Sequence, residues 1–116
     1  MMKWTFEYFS SENLRRCEAK DGFNHDIRSW STSDWLVAVM GELGEAANIA
    51  KKLNRVRDDI PGNKETPEQL EEMLKEELAD TFIYLDLLFH SIQADLMACV
   101  MDKFQKTSRK IGYPTL

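Results

Sequence analysis

Three observations in the sequence predict an all-α fold of four helices, two of them long, packed as a bundle. Apolar residues recur at three- and four-residue intervals through most of the chain. The three later periodic stretches open on helix-start chemistry, at Ser31-Thr32-Ser33-Asp34, Thr66-Pro67-Glu68-Gln69 and Asp95. No segment shows the polar–apolar alternation of a half-buried strand. With 116 residues, one domain spanning 1–116 is expected, large enough to bury a core without disulfide staples.

The first helix is expected from Thr5 to Lys20, with Ser10-Ser11 as a candidate break and Asp21-Gly22 as the stop. Phe6, Phe9 and Cys17 share its apolar face. Residues 23–30 follow neither period and read as an ordered loop carrying large side chains. The second helix runs from the Ser31 cap region to about Asn54. Its main apolar stripe is Leu36, Met40, Leu43, Ala47 and Ala50, expected to face the core. A second row, Ala38, Glu42, Glu45, Ile49 and Lys52, is too apolar at its ends for a solvated face and predicts a packing partner. A charged loop over residues 55–66, holding Pro61-Gly62-Asn63, leads to the third helix, which extends to about Gln93. Its core stripe is Leu74, Leu78, Thr81, Leu85, Leu88 and Ile92. Its other row is Met73, Glu77, Asp80, Tyr84 and Leu87, built like the acidic row before it. Asp95 caps a fourth helix through about Lys110, with Leu96, Val100 and Phe104 inward, and Gly112-Tyr113-Pro114 ends it.

Composition narrows the function classes. A net charge of −5 provides no global attraction for a nucleic acid polymer, so any anion must be handled locally. No apolar run approaches the ~20 residues of a membrane span, and Met1-Met2-Lys3-Trp4-Thr5-Phe6-Glu7 lacks the apolar centre of a secretion signal. Cys17 and Cys99 show no metal-ligand spacing and fit reduced, partly buried thiols. A cytoplasmic protein is expected.

The chemistry is concentrated in Gly41-Glu42-Leu43-Gly44-Glu45 and Glu76-Glu77-Leu78-Ala79-Asp80. Three-residue spacing places Glu42 with Glu45, and Glu77 with Asp80, on one face of their helices. Facing rows would gather four carboxylates whose repulsion disfavours the arrangement unless a cation joins them. Either pair alone is an ordinary solvated face. The apolar neighbours in each row point instead to a cleft. Gly41 and Gly44, each costing ~1 kcal/mol inside a helix, are expected to admit another helix or a ligand. Four carboxylates with no nearby His or Cys select a hard cation, Mg²⁺ with Mn²⁺ as substitute, over zinc. A di-iron bundle needs Glu-x-x-His pairs, and neither His25 nor His90 follows a glutamate by three residues. Mg²⁺ so held shares its sphere with phosphates, which indicates phosphoryl transfer from a polyphosphate to water.

Glu42-x-x-Glu45 followed by Glu77-x-x-Asp80 resembles the signature of the MazG-like, all-α nucleoside triphosphate pyrophosphohydrolases. Trp30-Ser31-Thr32-Ser33-Asp34-Trp35, the stretch from Asn48 to Arg55, Tyr84-Leu85-Asp86-Leu87, and Lys103-Phe104 through Gly112-Tyr113-Pro114 are similar to its compact bacterial and phage-borne members. The likeness covers roughly residues 24–114, with a longer 55–66 loop than the most compact relatives have. The resemblance implies Mg²⁺-dependent hydrolysis of (deoxy)nucleoside triphosphates to monophosphate and pyrophosphate. It also implies a role in cleansing the nucleotide pool and assembly as a homo-oligomer, a dimer or dimer of dimers. Glu42, Glu45, Glu77 and Asp80 become metal ligands and catalytic residues, with Glu45 the first candidate for the base that deprotonates water. Three alternatives stand beside it. They are a phosphoribosyl-ATP pyrophosphohydrolase, a helical module that binds nucleotide without cleaving it, and a purely structural helical dimer.

Secondary candidates each carry two readings. Lys52 continues the acidic row toward a phosphate tail, or belongs with Lys51 and Arg55 to a solvated helix end. Asn48 is placed to bond a metal-bound water or the sugar. Trp30, with His25 nearby, offers a stacking platform for a base, worth ~1–3 kcal/mol in nucleic-acid sites. Trp35 reads as core or dimer interface. Tyr84 contacts sugar or metal ligand, or is a core tyrosine. Lys103, Lys106 and Arg109, three apart, touch phosphates or face solvent.

Overall fold

A computed structural model describes residues 4–115, so the start of the N-terminal segment weighed above as a secretion signal lies outside the described residues. The elements are α1 (Phe6–Glu18), α2 (Thr32–Arg57), α3 (Pro67–Ser91) and α4 (Leu96–Ile111). Among the described residues there is no strand, and no single helix is long and apolar enough to cross a membrane. The chain forms two compact units, one from Ser31 to Leu85 and one from the two chain ends up to Trp30 and from Asp86 onward. Helix α3 runs through both.

In the unit 31–85, α2 starts on a reciprocal cap. Asp34 N–H donates to Ser31 Oγ at 3.2 Å, and Ser31 N–H donates to Asp34 Oδ2 at 2.9 Å. The helix continues to Arg57, beyond the expected Asn54. Thr66 and Gln69 form the same pairing before α3, at 2.9 and 3.1 Å. The buried α2 residues are Trp35, Val39, Ala46 and Ile49; Leu70 is the buried residue of α3 in this unit. This corrects the expected α2 stripe. Leu36, Met40 and Leu43 are exposed, Met40 to 57%, because the inward face lies about one residue further round the helix, where Trp35 sits at 2% exposure. On α3 the expected Leu78 is likewise exposed.

The loop over 58–66 folds back on the end of α2. Ile60 N–H donates to Arg55 O at 2.9 Å, Asn63 Nδ2 donates to Lys52 O at 2.8 Å, and Arg55 Nη2 donates to Pro61 O. Gly62 adopts φ +123°, and a Cβ there would meet Arg55 Nη2 at 2.8 Å, so the turn requires glycine.

In the other unit, α1 is capped by Thr5, whose Oγ1 accepts from Tyr8 N–H at 3.1 Å. It runs unbroken through Ser10-Ser11 and ends at Glu18, short of the expected Lys20. Ser10 does not break the helix because its hydroxyl is committed elsewhere: it donates to Asp86 Oδ1 at 2.9 Å. Asn13 Nδ2 donates to Asp86 Oδ2 at 3.0 Å, and His90 Nε2 lies 3.0 Å from Ser10 O. Asp86 is 1% exposed. Gly22 permits the chain reversal, since a Cβ would sit 2.1 Å from Arg16 O. Cys17 is buried, and burial pushes its thiol above its ordinary range, whereas Cys99 is exposed. Asp95 caps α4, accepting from Ala98 N–H at 2.7 Å, and Gly112 closes it at φ +77°. Val100 and Phe104, expected inward, are exposed, Phe104 to 62%; Leu96 and Ser108 are the buried positions of α4. Ile92 of the expected α3 stripe is exposed as well.

Candidate metal centre

Within the unit 31–85, α2 supplies Glu42 and Glu45 and α3 supplies Glu77. Each offers a carboxylate oxygen within 4.8 Å of the other two. The burial pattern explains the meeting. Trp35, Val39, Ala46 and Ile49 bury one side of α2, and Glu42 lies on the same row as Val39, Ala46 and Ile49, at the seam rather than on the solvent face. Trp35 also meets Tyr84, ring centroids 6.4 Å apart, which places the α3 row bearing Glu77 beside α2.

Electrostatics mark the cluster as strained without a counter-ion. Contact with Glu45 and then Glu42, helped by partial burial, pushes the Glu77 carboxyl up to about 7, far above the usual carboxylate range. Glu42 is raised too, first by burial and then by repulsion from Glu45 and Asp80, while its contact with Glu77 works in the opposite direction. The clustered carboxyls therefore retain a proton to higher pH than isolated ones would. Its side chain as a whole is only half-buried, yet Oε2 is shielded from solvent and has no hydrogen-bond partner. A buried carboxylate oxygen without a donor is costly. A cation is the partner that an all-oxygen donor set of three carboxylates would satisfy best, and the set fits Mg²⁺ or Mn²⁺.

The other expected residues fall out unevenly. Asp80 is near enough to raise Glu42 but is exposed, and its carboxylate stands outside the group of three. Asn48 is exposed one turn beyond Glu45. Tyr84 is half-buried against Trp35, as a core tyrosine would be. Lys52 is engaged: its Nζ lies 2.7 Å from Glu65 Oε2. In the other unit, the His25 and Trp30 rings meet edge to face at 4.6 Å, and Trp30 is exposed. Lys103, Lys106 and Arg109 on α4 are exposed. Gly41 and Gly44 line no close approach, because a Cβ at either position would meet nothing within 4 Å. Within this chain nothing approaches those glycines, which lie on the exposed side of α2.

Sequence reasoning missed Glu65. Its position just before the Thr66 cap signals a helix start, and nothing in a linear pattern couples it to a lysine thirteen residues earlier. An open hollow of ≈ 530 Å³ is lined by Glu65, Glu68, Gln69, Glu72 and Met73. Its acids repel polyphosphate, and none of the three clustered carboxylates lines it, so the carboxylate cluster is the better candidate site.

Comparison with family models, curated proteins and solved structures returned no match.

Proposed function

We propose that the protein is a Mg²⁺-dependent nucleoside triphosphate pyrophosphohydrolase of MazG-like, four-helix-bundle type. In this reading it cleaves (deoxy)nucleoside triphosphates to monophosphate and pyrophosphate, in the cytoplasm, as part of nucleotide-pool cleansing. The observation that carries the reading is the convergence of the Glu42, Glu45 and Glu77 carboxylates, one of whose oxygens, Glu77 Oε2, is buried without a hydrogen-bond partner. These three would hold the ion, with Asp80 beside them. When bound, Mg²⁺ supplies charge neutralisation for the phosphate chain and acidifies water in its sphere.

The chain's own residues do the rest. Glu45 is exposed and open to solvent, and so is the group best placed to take a proton from the attacking water. Glu42 and Glu77, more enclosed, position the ion. Asn48 and Lys52 extend the same α2 row toward sugar and phosphate. Self-association as a dimer or dimer of dimers belongs to the proposal. Its support is the exposed apolar row Leu36, Val37, Met40 and Leu43 on α2.

The test is incubation with Mg²⁺ and a panel of canonical and damaged (d)NTPs, products resolved by chromatography. Pyrophosphate and monophosphate are expected as first products, and Glu45→Gln is expected to abolish them. Orthophosphate released first, or no turnover of any nucleotide, overturns the proposal.

A further inference from the structure

The 58–66 loop is tied to α2 where the acidic row ends, by the hydrogen bonds described above and, at its 64–66 end, by an ion pair. Lys52 follows Glu45 by two helical turns, about 10 Å along the axis, and a lysine's flexible four-carbon stem spans much of that distance. Its ammonium is not turned to open solvent but bound by Glu65 Oε2 at 2.7 Å. That contact holds the Glu65 carboxyl below its ordinary range. One turn on, Arg55 lies under the same loop. Its Nη2 reaches Pro61 O, while its Nε is buried and lacks a hydrogen-bond partner. Two cations at three-residue spacing thus face one loop, and between them they retain an unfilled donor. Among the described residues, Lys52's salt-bridge partner is Glu65, a carboxylate on a short tether.

We propose that Lys52 and Arg55 form an oxyanion subsite for the distal phosphates, that Glu65 occupies it as a built-in competitor, and that an arriving phosphate chain displaces Glu65 and loosens the 64–66 end of the loop from α2, the hydrogen bonds from Ile60, Asn63 and Arg55 keeping the rest in place. The proposal rests on the pyrophosphohydrolase reading, since it is the carboxylate row that would deliver phosphates to Lys52. The physical basis is an exchange of partners. A carboxylate carries one negative charge, whereas a terminal phosphate carries more and presents three acceptor oxygens, enough to engage the ammonium and the orphaned guanidinium nitrogen together. Exposed and part-exposed ion pairs are weak, so Glu65 can be displaced without large cost.

The experiment measures binding of inorganic pyrophosphate with Mg²⁺ by calorimetry, and trypsin cleavage after Lys64, in the full-length wild type and in Glu65→Gln. The expected results are about two- to fivefold tighter pyrophosphate binding by the variant, the range an exposed pair can contribute, and pyrophosphate-accelerated cleavage of the wild-type loop. In a Lys52→Met background the Glu65→Gln gain disappears, as coupling through that ammonium requires. Unchanged affinity in Glu65→Gln, or wild-type cleavage indifferent to pyrophosphate, overturns the latch while leaving NTP turnover by the wild type intact. Absence of both pyrophosphate binding and NTP turnover overturns the latch and the proposed function together. The wild-type cleavage arm does not depend on how well the variant folds.

Discussion

Glu77 is the residue on which the cluster's behaviour turns. With its carboxyl pushed up to about 7 by Glu45 and Glu42, the folded chain binds a proton that the unfolded chain, with an ordinary carboxyl near 4.5, releases earlier. Between those two values the native state holds more protons, so stability falls as pH rises through the window. The metal-free protein is therefore expected to melt at lower temperature at pH 8 than at pH 6, and saturating Mg²⁺ is expected to flatten that dependence by linkage. Scanning fluorimetry in EDTA and in Mg²⁺ checks both arms, and a metal-free melting temperature that climbs over the same interval contradicts the assignment. Under the proposed function, Glu77→Gln removes a metal ligand as well as the repulsion. It is expected to erase the pH 6–8 slope and cut turnover by at least about 100-fold, the upper end of what disturbing a metal site's supporting groups costs. Asp80→Asn, outside the group of three, is expected to lose less than Glu77→Gln, a difference that steady-state kinetics would measure.

At the scale of elements, local caps hold the helix ends and a buried polar clamp joins α1 to α3. Asp86, on α3, accepts from both Ser10 and Asn13 of α1 while almost fully buried. Removing the carboxylate strands two donors, so Asp86→Ala is expected to destabilise by about 2–3 kcal/mol in urea titration, the scale of hydrogen bonds to a charged group. Ser31→Ala breaks the reciprocal cap of α2 and should cost about 1 kcal/mol. The caps were legible in the sequence because cap chemistry is local: Thr5, Ser31, Thr66 and Asp95 all lie at or beside the expected starts. The clamp was not, because nothing in the linear pattern couples Ser10 and Asn13 to a partner 76 and 73 residues away.

Across the chain, apolar surface is exposed on both long and short helices: Val37 to 71% on α2, with Leu36 and Met40 beside it, and Phe104 and Met101 on α4. Isolated exposed apolar residues are ordinary, but contiguous rows mark surfaces that bind something. Under the self-association proposed above, Met40→Lys is expected to shift sedimentation toward a smaller species while leaving helicity unchanged. Wild-type protein sedimenting as a 13.5 kDa monomer at all concentrations would remove self-association from the proposal.

What the linear pattern settled is what local rules govern. Periodicity, caps and turn residues placed four helices within a few residues of their ends, and three-residue spacing put each acidic pair on one face. Tertiary packing decided the rest. A helix with apolar residues on more than one side does not announce which side is inward, and the choice of Trp35 over Leu36 and Met40 turned α2 so that Glu42 and Glu45 meet Glu77 while Asp80 stands apart. The pairing of Lys52 with Glu65 likewise depends on the loop's fold, which the turn at Gly62 and the bonds from Asn63 and Arg55 impose. Long-range neighbours, not residue identities, raise Glu77 and leave its Oε2 without a partner.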